Sequence, residues 1–153
     1  MTTKTFLIVD TMNLLFRCKY ETSPKFGLDD QIGMGLHKTL QTVKKSARLF
    51  GNPHLVFALD GTSWRNSVFP DYKLTRKVAK LSRSRTEQEN EEAFLEAAND
   101  MCQFLDEKTN ATVLRCPIAE ADDMIAMWIK AHPEDHHIIV STDTDFYQLL
   151  SDN

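Results

Sequence analysis

Glu120, Asp122 and Asp123 crowd into the stretch Ile118-Ala119-Glu120-Ala121-Asp122-Asp123-Met124-Ile125, which runs straight into an apolar segment and contains no cation. That arrangement is unfavourable unless something positive sits there. Two like charges about 4 Å apart repel by roughly 4 kcal/mol at an effective dielectric of about 20, so clustered acids beside a core point to bound metal or shared protons. Read as a helix, the stretch puts Glu120 and Asp123 on one face and turns Asp122 about 100° away. The positive end of the helix dipole favours all three in the ionised state that a hard cation needs. The competing reading is a solvated, acid-rich first helical turn, since acids are favoured at helix starts anyway.

What must position these acids is a series of short apolar runs, each delivering the chain to a carboxylate. Lys4 to Asp10 reads as a buried parallel strand with Asp10 at the sheet's carboxyl edge. Thr11 to Arg17 reads as a short helix, and Glu21 to Gly35, with Pro24, Gly27, Gly33 and Gly35, as a loop. Leu36, Leu40, Val43, Ala47 and Phe50 recur at helical spacing until Gly51-Asn52-Pro53 ends that helix. His54 to Gly61 repeats the strand pattern and carries Asp60 at its end. Thr86 and Glu89 suggest a capping box opening a helix striped by Ala93, Phe94, Ala97, Ala98, Met101, Cys102 and Leu105, which ends near Thr109-Asn110. Ala111 to Pro117 is the third strand, leading to Glu120. Met124, Ile125, Met127, Trp128 and Ile129 are the expected buried face of the next helix, stopped by His132-Pro133. The fourth strand, His136 to Ser141, runs into Asp143 and Asp145. Strands alternating with helices imply an α/β fold: a largely parallel, doubly wound sheet with helices on both faces, binding ligands beyond the carboxyl ends of its strands.

The 153 residues suit one domain with a real core, 42% hydrophobic and 26% charged. The longest apolar runs are strand-sized, so neither a membrane span nor a signal peptide is expected, and the reading is of a cytoplasmic protein. Cys18, Cys102 and Cys116 fit reduced, mostly buried thiols better than a disulfide framework or a zinc site. A net charge of −4 looks wrong for a nucleic-acid binder. Yet seven acids belong to the strand ends, and removing seven negative charges from −4 leaves +3. Local distribution therefore matters more than the total.

Thr62 to Arg85 changes character. Arg65, Lys73, Arg76, Lys77, Lys80, Arg83 and Arg85 are interleaved with Trp64, Phe69 and Tyr72, and Asp71 is the one acid. Such a segment should repel itself unless a polyanion lies against it, which predicts mobility in the free state and a grip on phosphates.

An aspartate after one strand is often just the N-cap of the next helix, and for Asp10 or Asp143 taken singly that reading is preferred. Four acidic strand ends in succession need more than caps, because a cap uses one acceptor and these ends supply Asp10, Asp60, Glu120, Asp122, Asp123, Asp143 and Asp145. All-oxygen ligands point to Mg²⁺ or Mn²⁺, and so many acids suggest two ions, an arrangement suited to phosphoryl transfer.

These residues resemble the 5′-nucleases: flap endonucleases, phage 5′-exonucleases and the 5′-nuclease domain of bacterial DNA polymerase I. Val9-Asp10-Thr11-Met12-Asn13-Leu14 is similar to the family's first acidic motif and Leu59-Asp60-Gly61 to its second. Trp64-Arg65 and Phe69-Pro70-Asp71-Tyr72-Lys73 with Arg76 resemble the stretch leading into a helical arch, here about residues 65–92. Glu120-Ala121-Asp122-Asp123 is similar to the most specific signature, and Ser141-Thr142-Asp143-Thr144-Asp145 to the next motif along the chain. The resemblance implies a PIN-like fold and metal-dependent hydrolysis of DNA near 5′ ends, flaps or branched junctions, with the RNA of RNA–DNA hybrids as a further substrate. It implies a 5′ to 3′ exonuclease or structure-specific endonuclease of replication and repair, in a phage or its bacterial host. The seven acids match the metal-site carboxylates. Tyr72, Lys73 and Arg76 match residues that stack on the terminal nucleotide and hold the scissile phosphate, with Lys73 and Arg76 in the catalytic role. Lys77, Lys80, Arg83 and Arg85 would line the path of the DNA. Arg65 has two readings, a DNA contact or a structural ion pair near the second strand.

Thr144 stands where many relatives have glycine, a mild departure. A larger one is that the family's further strand, second acidic pair and helix-hairpin-helix element are not found up to Asn153. The expectation is an amino-terminal part, residues 1–153, of low activity by itself and completed by a carboxyl-terminal half that a separate chain could supply. Two rival readings are a PIN-type ribonuclease and a non-catalytic junction-binding replication accessory protein. A haloacid-dehalogenase-like phosphatase would need an Asp-x-Asp pair after the first strand, and Asp10 is followed by Thr11 and Met12.

Overall fold

Leu7, Ile8 and Val9 are sealed from solvent, as an aliphatic run must be when it forms the middle strand of a parallel sheet covered on both faces. The computed structural model describes residues 2–22 and 24–151, so that Met1, Ser23, Asp152 and Asn153 lie outside the described residues. The middle strand is β1 (Thr5–Asp10), flanked by β2 (His54–Ala58) and β4 (His136–Val140), with β3 (Thr112–Leu114) beyond β2. All pairings are parallel, in register Leu7↔Leu55, Leu7↔Ile138 and Phe57↔Val113. Every strand therefore ends at the same edge, and the residues just beyond the four ends are brought together.

The alternation of side chains divides the core in two. Phe6, Ile8, Val56 and Ala58 face α6 (Ala121–Ala131), packing on Ala121, Ile125 and Trp128 and on Phe146 of a 3₁₀ helix (Thr144–Leu149). Leu7, Val9 and Phe57 face the other way, onto Leu14 and Cys18 of α1 (Thr11–Tyr20), Val43 and Ala47 of α2 (Leu28–Leu49) and Leu105 of α5 (Arg85–Lys108). Phe94 and Ala98 of α5 join Leu15 in a third cluster between these helices. Two short helices, α3 (Arg65–Val68) and α4 (Leu74–Leu81), carry the basic stretch over the sheet's carboxyl edge. Cys18, Cys102 and Cys116 are all free thiols, the first two buried. None of the described helices is long and apolar enough to cross a membrane.

Several boundaries differ from the expectations. The stretch Glu21 to Gly35 is not a loop throughout, because α2 already starts at Leu28 and runs through Gly33 and Gly35. Gly35 lies against α1, its missing Cβ position 3.5 Å from Lys19 Cα, and Ile32 and Leu36 pack beside Phe94. That packing outweighs the roughly 1 kcal/mol that a helical glycine costs. The capping box is Ser84 with Glu87 instead of Thr86 with Glu89, and Glu89 pairs with Arg85 one turn earlier. Met127 is 69% exposed, not buried. β2 stops at Ala58 and β3 covers only Thr112–Leu114, so Asp60 and Glu120 sit on loops beyond the strands.

Candidate active site

The loop after β2 is stitched to the loop before α6 by three successive backbone bonds of 2.8 Å: Gly61 N to Ala119 O, Thr62 N to Pro117 O and Trp64 N to Ile118 O. Gly61 is required there because a Cβ would lie 2.0 Å from Cys116 O. The stitching brings Asp60 to the start of α6, where its Oδ1 accepts from Ala121 N at 2.8 Å.

Glu120 is a hub. Its Oε2 accepts from Ser63 Oγ at 3.0 Å, Tyr72 Oη at 2.9 Å and Arg65 Nη1 at 3.1 Å, while Oε1 accepts from Lys73 Nζ. Burial pushes its carboxyl upward, but the bonds from Lys73, Tyr72 and Ser63 outweigh that and hold it below the usual carboxylate range. Asp123 is held low chiefly by Arg65, which binds it through both Nη atoms. Asp122 is pushed up by burial and by its neighbours Asp123 and Glu120. Lys73 joins Glu120 from a left-handed backbone conformation, φ 53° and ψ 30°, that non-glycine residues seldom adopt.

Asp10 is 8% exposed. It does not cap α1. Its Oδ2 accepts from Ser141 Oγ at 2.8 Å, and the same hydroxyl oxygen accepts from Asp143 N at 3.1 Å. Burial raises its pKa to about 6, with a further push from the charges of Asp60 and Asp143 that the Ser141 bond only partly offsets. Asn13 Oδ1 ties α1 to the fourth strand end through Thr142 N and Oγ1, at 3.1 and 3.0 Å. Asp143 does act as a cap, accepting from Asp145 N at 2.9 Å.

Asp10, Asp60, Glu120, Asp122 and Asp143 thus line one cleft of about 390 Å³ together with Lys73, which is bonded to Glu120, and Arg76. Asp123 and Asp145 line the adjoining cleft with Arg65 and Tyr72, and Asp122 borders both. Glu120, Asp122 and Asp123 each offer a carboxylate oxygen within 4.8 Å of the other two. This all-oxygen donor set, with like charges partly buried beside it, fits a hard divalent cation.

The sequence model of the N-terminal resolvase-like domain of 5′-3′ exonucleases matches residues 5–153. The chain belongs to this family. It is 32% identical over 156 residues to flap endonuclease Xni of Psychromonas ingrahamii, across 97% of this chain and 54% of that protein. It is 31% identical over 152 residues to the flap endonuclease of Escherichia phage T5, across 97% of this chain and 49% of that one. The chain spans about half the length of the curated relatives it matches. A crystal structure of the T5 protein co-crystallised with metal ions superposes with a TM-score of 0.72 at 27% identity, covering 97% of this chain and 52% of that one. A T5 flap endonuclease complex with DNA and metal ions gives 0.70 at 27%, covering 97% and 53%.

The residues singled out from the sequence divide into groups. The seven acids and Lys73, Arg76 and Tyr72 gather around the two clefts. Arg65 takes up the ion-pair position on Asp123 and Glu120. The outer cations are elsewhere: Lys77 donates to Asn66 Oδ1, Lys80 and Arg83 pair with Glu91, and Arg85 pairs with Glu89. The self-repulsion expected of this segment is relieved by α5 without a polyanion. Sequence reading passed over Ser63, which holds Glu120, and Phe16, which lines the cleft, and it named Met12, Asn13 and Ser141 only within motifs, without the contacts they make. Isolated polar residues next to strand ends carry no pattern of their own.

Proposed function

We propose that this chain is the metal-binding, phosphate-gripping part of a divalent-metal-dependent 5′-nuclease, acting by phosphodiester hydrolysis on DNA at 5′ ends, flaps or branched junctions. The observation that carries the reading is the cleft that carboxylates from four strand ends line together with Lys73 and Arg76. Acids alone would suit any metal site. Acids sharing a cleft with two cations suit a phosphodiester, whose anionic oxygens need positive groups beside the bound ion. The T5 relatives crystallised with metal ions and with DNA support the same reading, and the cytoplasm of a bacterium or of a phage-infected cell is the setting that fits.

Asp10, Asp60, Glu120, Asp122 and Asp143 would hold Mg²⁺ or Mn²⁺ in the main cleft, and Asp123 and Asp145 would serve a second position beside Asp122. A divalent ion, when bound, supplies Lewis-acid stabilisation to a phosphoryl oxygen and lowers the pKa of an attacking water. Lys73 and Arg76 stabilise charge developing on the phosphoryl group, and Tyr72 offers a ring face for the terminal base. Ser63 and Arg65 orient Glu120 and Asp123 without touching substrate. Ser141 sets the rotamer of Asp10, and Lys77, Lys80, Arg83 and Arg85 guide the strand over the arch.

The second half of the nuclease, as a continuation or as a separate chain, is proposed to dock at β4. That strand pairs only with β1 among the described residues. Beside it lies a cavity of about 180 Å³ lined by Ile129, Ile139, Phe146 and Leu149 and by His137, whose Nε2 is buried without a partner. An unpaired strand edge next to an apolar cavity is what an added strand would cover.

The test is cleavage of a 5′-labelled flap by the purified chain in Mn²⁺, with EDTA and Lys73→Ala as controls, alone and with the carboxyl-terminal half of a relative added. Slight metal-dependent cutting that rises on addition is expected. Robust flap-selective cutting by the chain alone would sink the half-enzyme part, and no metal-dependent cutting under either condition would sink the nuclease reading.

A further inference from the structure

α2 presents a face that the cleft does not use. Gly35, Thr39, Val43 and Ala47 turn inward, so the helical period places Lys38, Gln41, Lys45 and Arg48 on the opposite side, with Lys44 beside them. Lys44, Lys45 and Arg48 are exposed. Between Gln31 and Leu49 the helix carries these four cations and no acid, in a chain whose net charge is −4. Over the ten steps from Lys38 to Arg48 the stripe extends about 15 Å at 1.5 Å per residue.

These side chains line a shallow groove of about 520 Å³ whose only acid among the described residues is Glu21. The Glu21 carboxylate is turned towards Arg17, 3.8 Å away, and Lys38 Nζ donates to the Glu21 backbone oxygen instead, at 3.1 Å. No ion pair engages Lys44, Lys45 or Arg48 among the described residues. The contrast with the arch is informative. There Lys80 and Arg83 are neutralised by Glu91 and Arg85 by Glu89, whereas on α2 the cations have been left without acids along a straight line.

We propose that the outward face of α2 is a second nucleic-acid surface, which holds the phosphate backbone of the duplex part of the substrate. The proposal rests on the nuclease reading above. Charge selects a polyanion, and the lack of Phe, Tyr or Trp among the groove's lining residues, whose one ring is the imidazole of His37, selects a duplex. Single-strand binders alternate cations with aromatic platforms for the bases, as the arch does with Trp64, Phe69 and Tyr72. The α2 stripe from Lys38 to Arg48 holds no Phe, Tyr or Trp, so it can follow a backbone whose bases are stacked away inside a helix. A span of about 15 Å matches two or three contacts along one strand.

The experiment measures binding of the 153-residue chain to a blunt, fluorescein-labelled DNA duplex and to a single strand of the same length, in EDTA, across a range of salt. The variants are Lys44→Glu/Lys45→Glu/Arg48→Glu and, to separate charge from folding, Lys44→Gln/Lys45→Gln/Arg48→Gln with thermal melting as control. Both are expected to melt as the parent does, to bind duplex about tenfold or more weakly, and to lower the salt slope by about 2 to 3, at about 0.9 per phosphate contact. Single-strand affinity should stay at the parent level. Parent-like duplex affinity and slope in both variants overturns the proposal, as does an equal loss on duplex and single strand. A parent chain that binds single strands but no duplex overturns it while leaving the nuclease reading intact. A parent that binds neither overturns both.

Discussion

Arg65 grips Asp123 through two hydrogen bonds, Nη1 to Oδ2 at 2.8 Å and Nη2 to Oδ1 at 2.7 Å, and the same Nη1 reaches Glu120 Oε2 at 3.1 Å. A planar fork is the one side chain that can make both bonds at once, so the residue is placed to set two carboxylates in position. Arg65→Ala should lower metal-free stability by about 1–3 kcal/mol, because it leaves part-buried Asp123 without its cation, while Glu120 keeps Lys73, Tyr72 and Ser63. Arg65→Lys should recover only a minor part. Urea denaturation in EDTA checks this. Parent-like stability together with lost DNA affinity would return Arg65 to the DNA-contact reading.

Metal should stabilise the folded chain, since the acids are assembled only in the native state. Mg²⁺ or Mn²⁺ is expected to raise Tm, and Asp122→Asn to remove most of that rise, because Asp122 borders both clefts and has no cation bonded to it. A parent Tm indifferent to either ion would falsify the metal-site assignment.

Asp10 gives the metal-free protein a pH dependence of definite sign. Its folded pKa, about 6, lies above its ordinary value of 3.8, so its contribution to stability is fully present below about pH 4 and lost as pH rises through 6. At neutral pH the buried carboxylate costs up to about 3 kcal/mol, at 1.36 kcal/mol per pKa unit. Asp10→Asn should therefore stabilise the metal-free chain more at pH 8 than at pH 4.5, while weakening its response to metal. Denaturation midpoints of the two proteins at both pH values decide it, and a constant difference between them would refute the buried-acid account.

The four strands and their common acidic edge could be read from the chain because the signals are local: apolar runs of strand length ending in carboxylates, separated by helical periods. The helix start at Leu28 could not, because Gly33 and Gly35 read as breakers until Lys19 and Phe94 are seen packed against Gly35. Ser84 lost to Thr86 as a cap for a similar reason, two equivalent local signals lying two residues apart. In the site, the acid set was legible as a pattern of types. The division of labour was not, since Ser63, Lys73 and Tyr72 meet Glu120 only across separations of about fifty residues.

Lys73 carries its cation on a backbone held at φ 53°. Substitution to alanine keeps the strained conformation and loses the Glu120 bond, whereas glycine loses the bond but is at ease at positive φ. Lys73→Gly should therefore be more stable than Lys73→Ala by about 1 kcal/mol, and both should lose metal-dependent cleavage. Equal stabilities would mean that the left-handed turn opens in solution.

The basic segment is tethered at its far end, where Glu91 of α5 accepts Arg83 and lies 3.7 Å from Lys80. All eight residues of α4 are exposed, so the helix is held down by this tether, the Lys73–Glu120 pair and the bonds of Lys77 to Asn66 and Pro70. The ion pairs are surface ones, of small individual worth, and the segment should open on a timescale that a protease can sample. Trypsin is expected to cut after Lys77, Lys80 or Arg83 before it cuts in α2 or α5. Glu91→Gln should speed those cuts several-fold by removing the tether. A single strand or 5′ flap should slow them, because its phosphates replace Glu91 as partner of the same cations. Cleavage at the parent rate in Glu91→Gln, or at one rate with and without DNA, would make α4 an ordinary packed helix and remove the arch from the path of the strand.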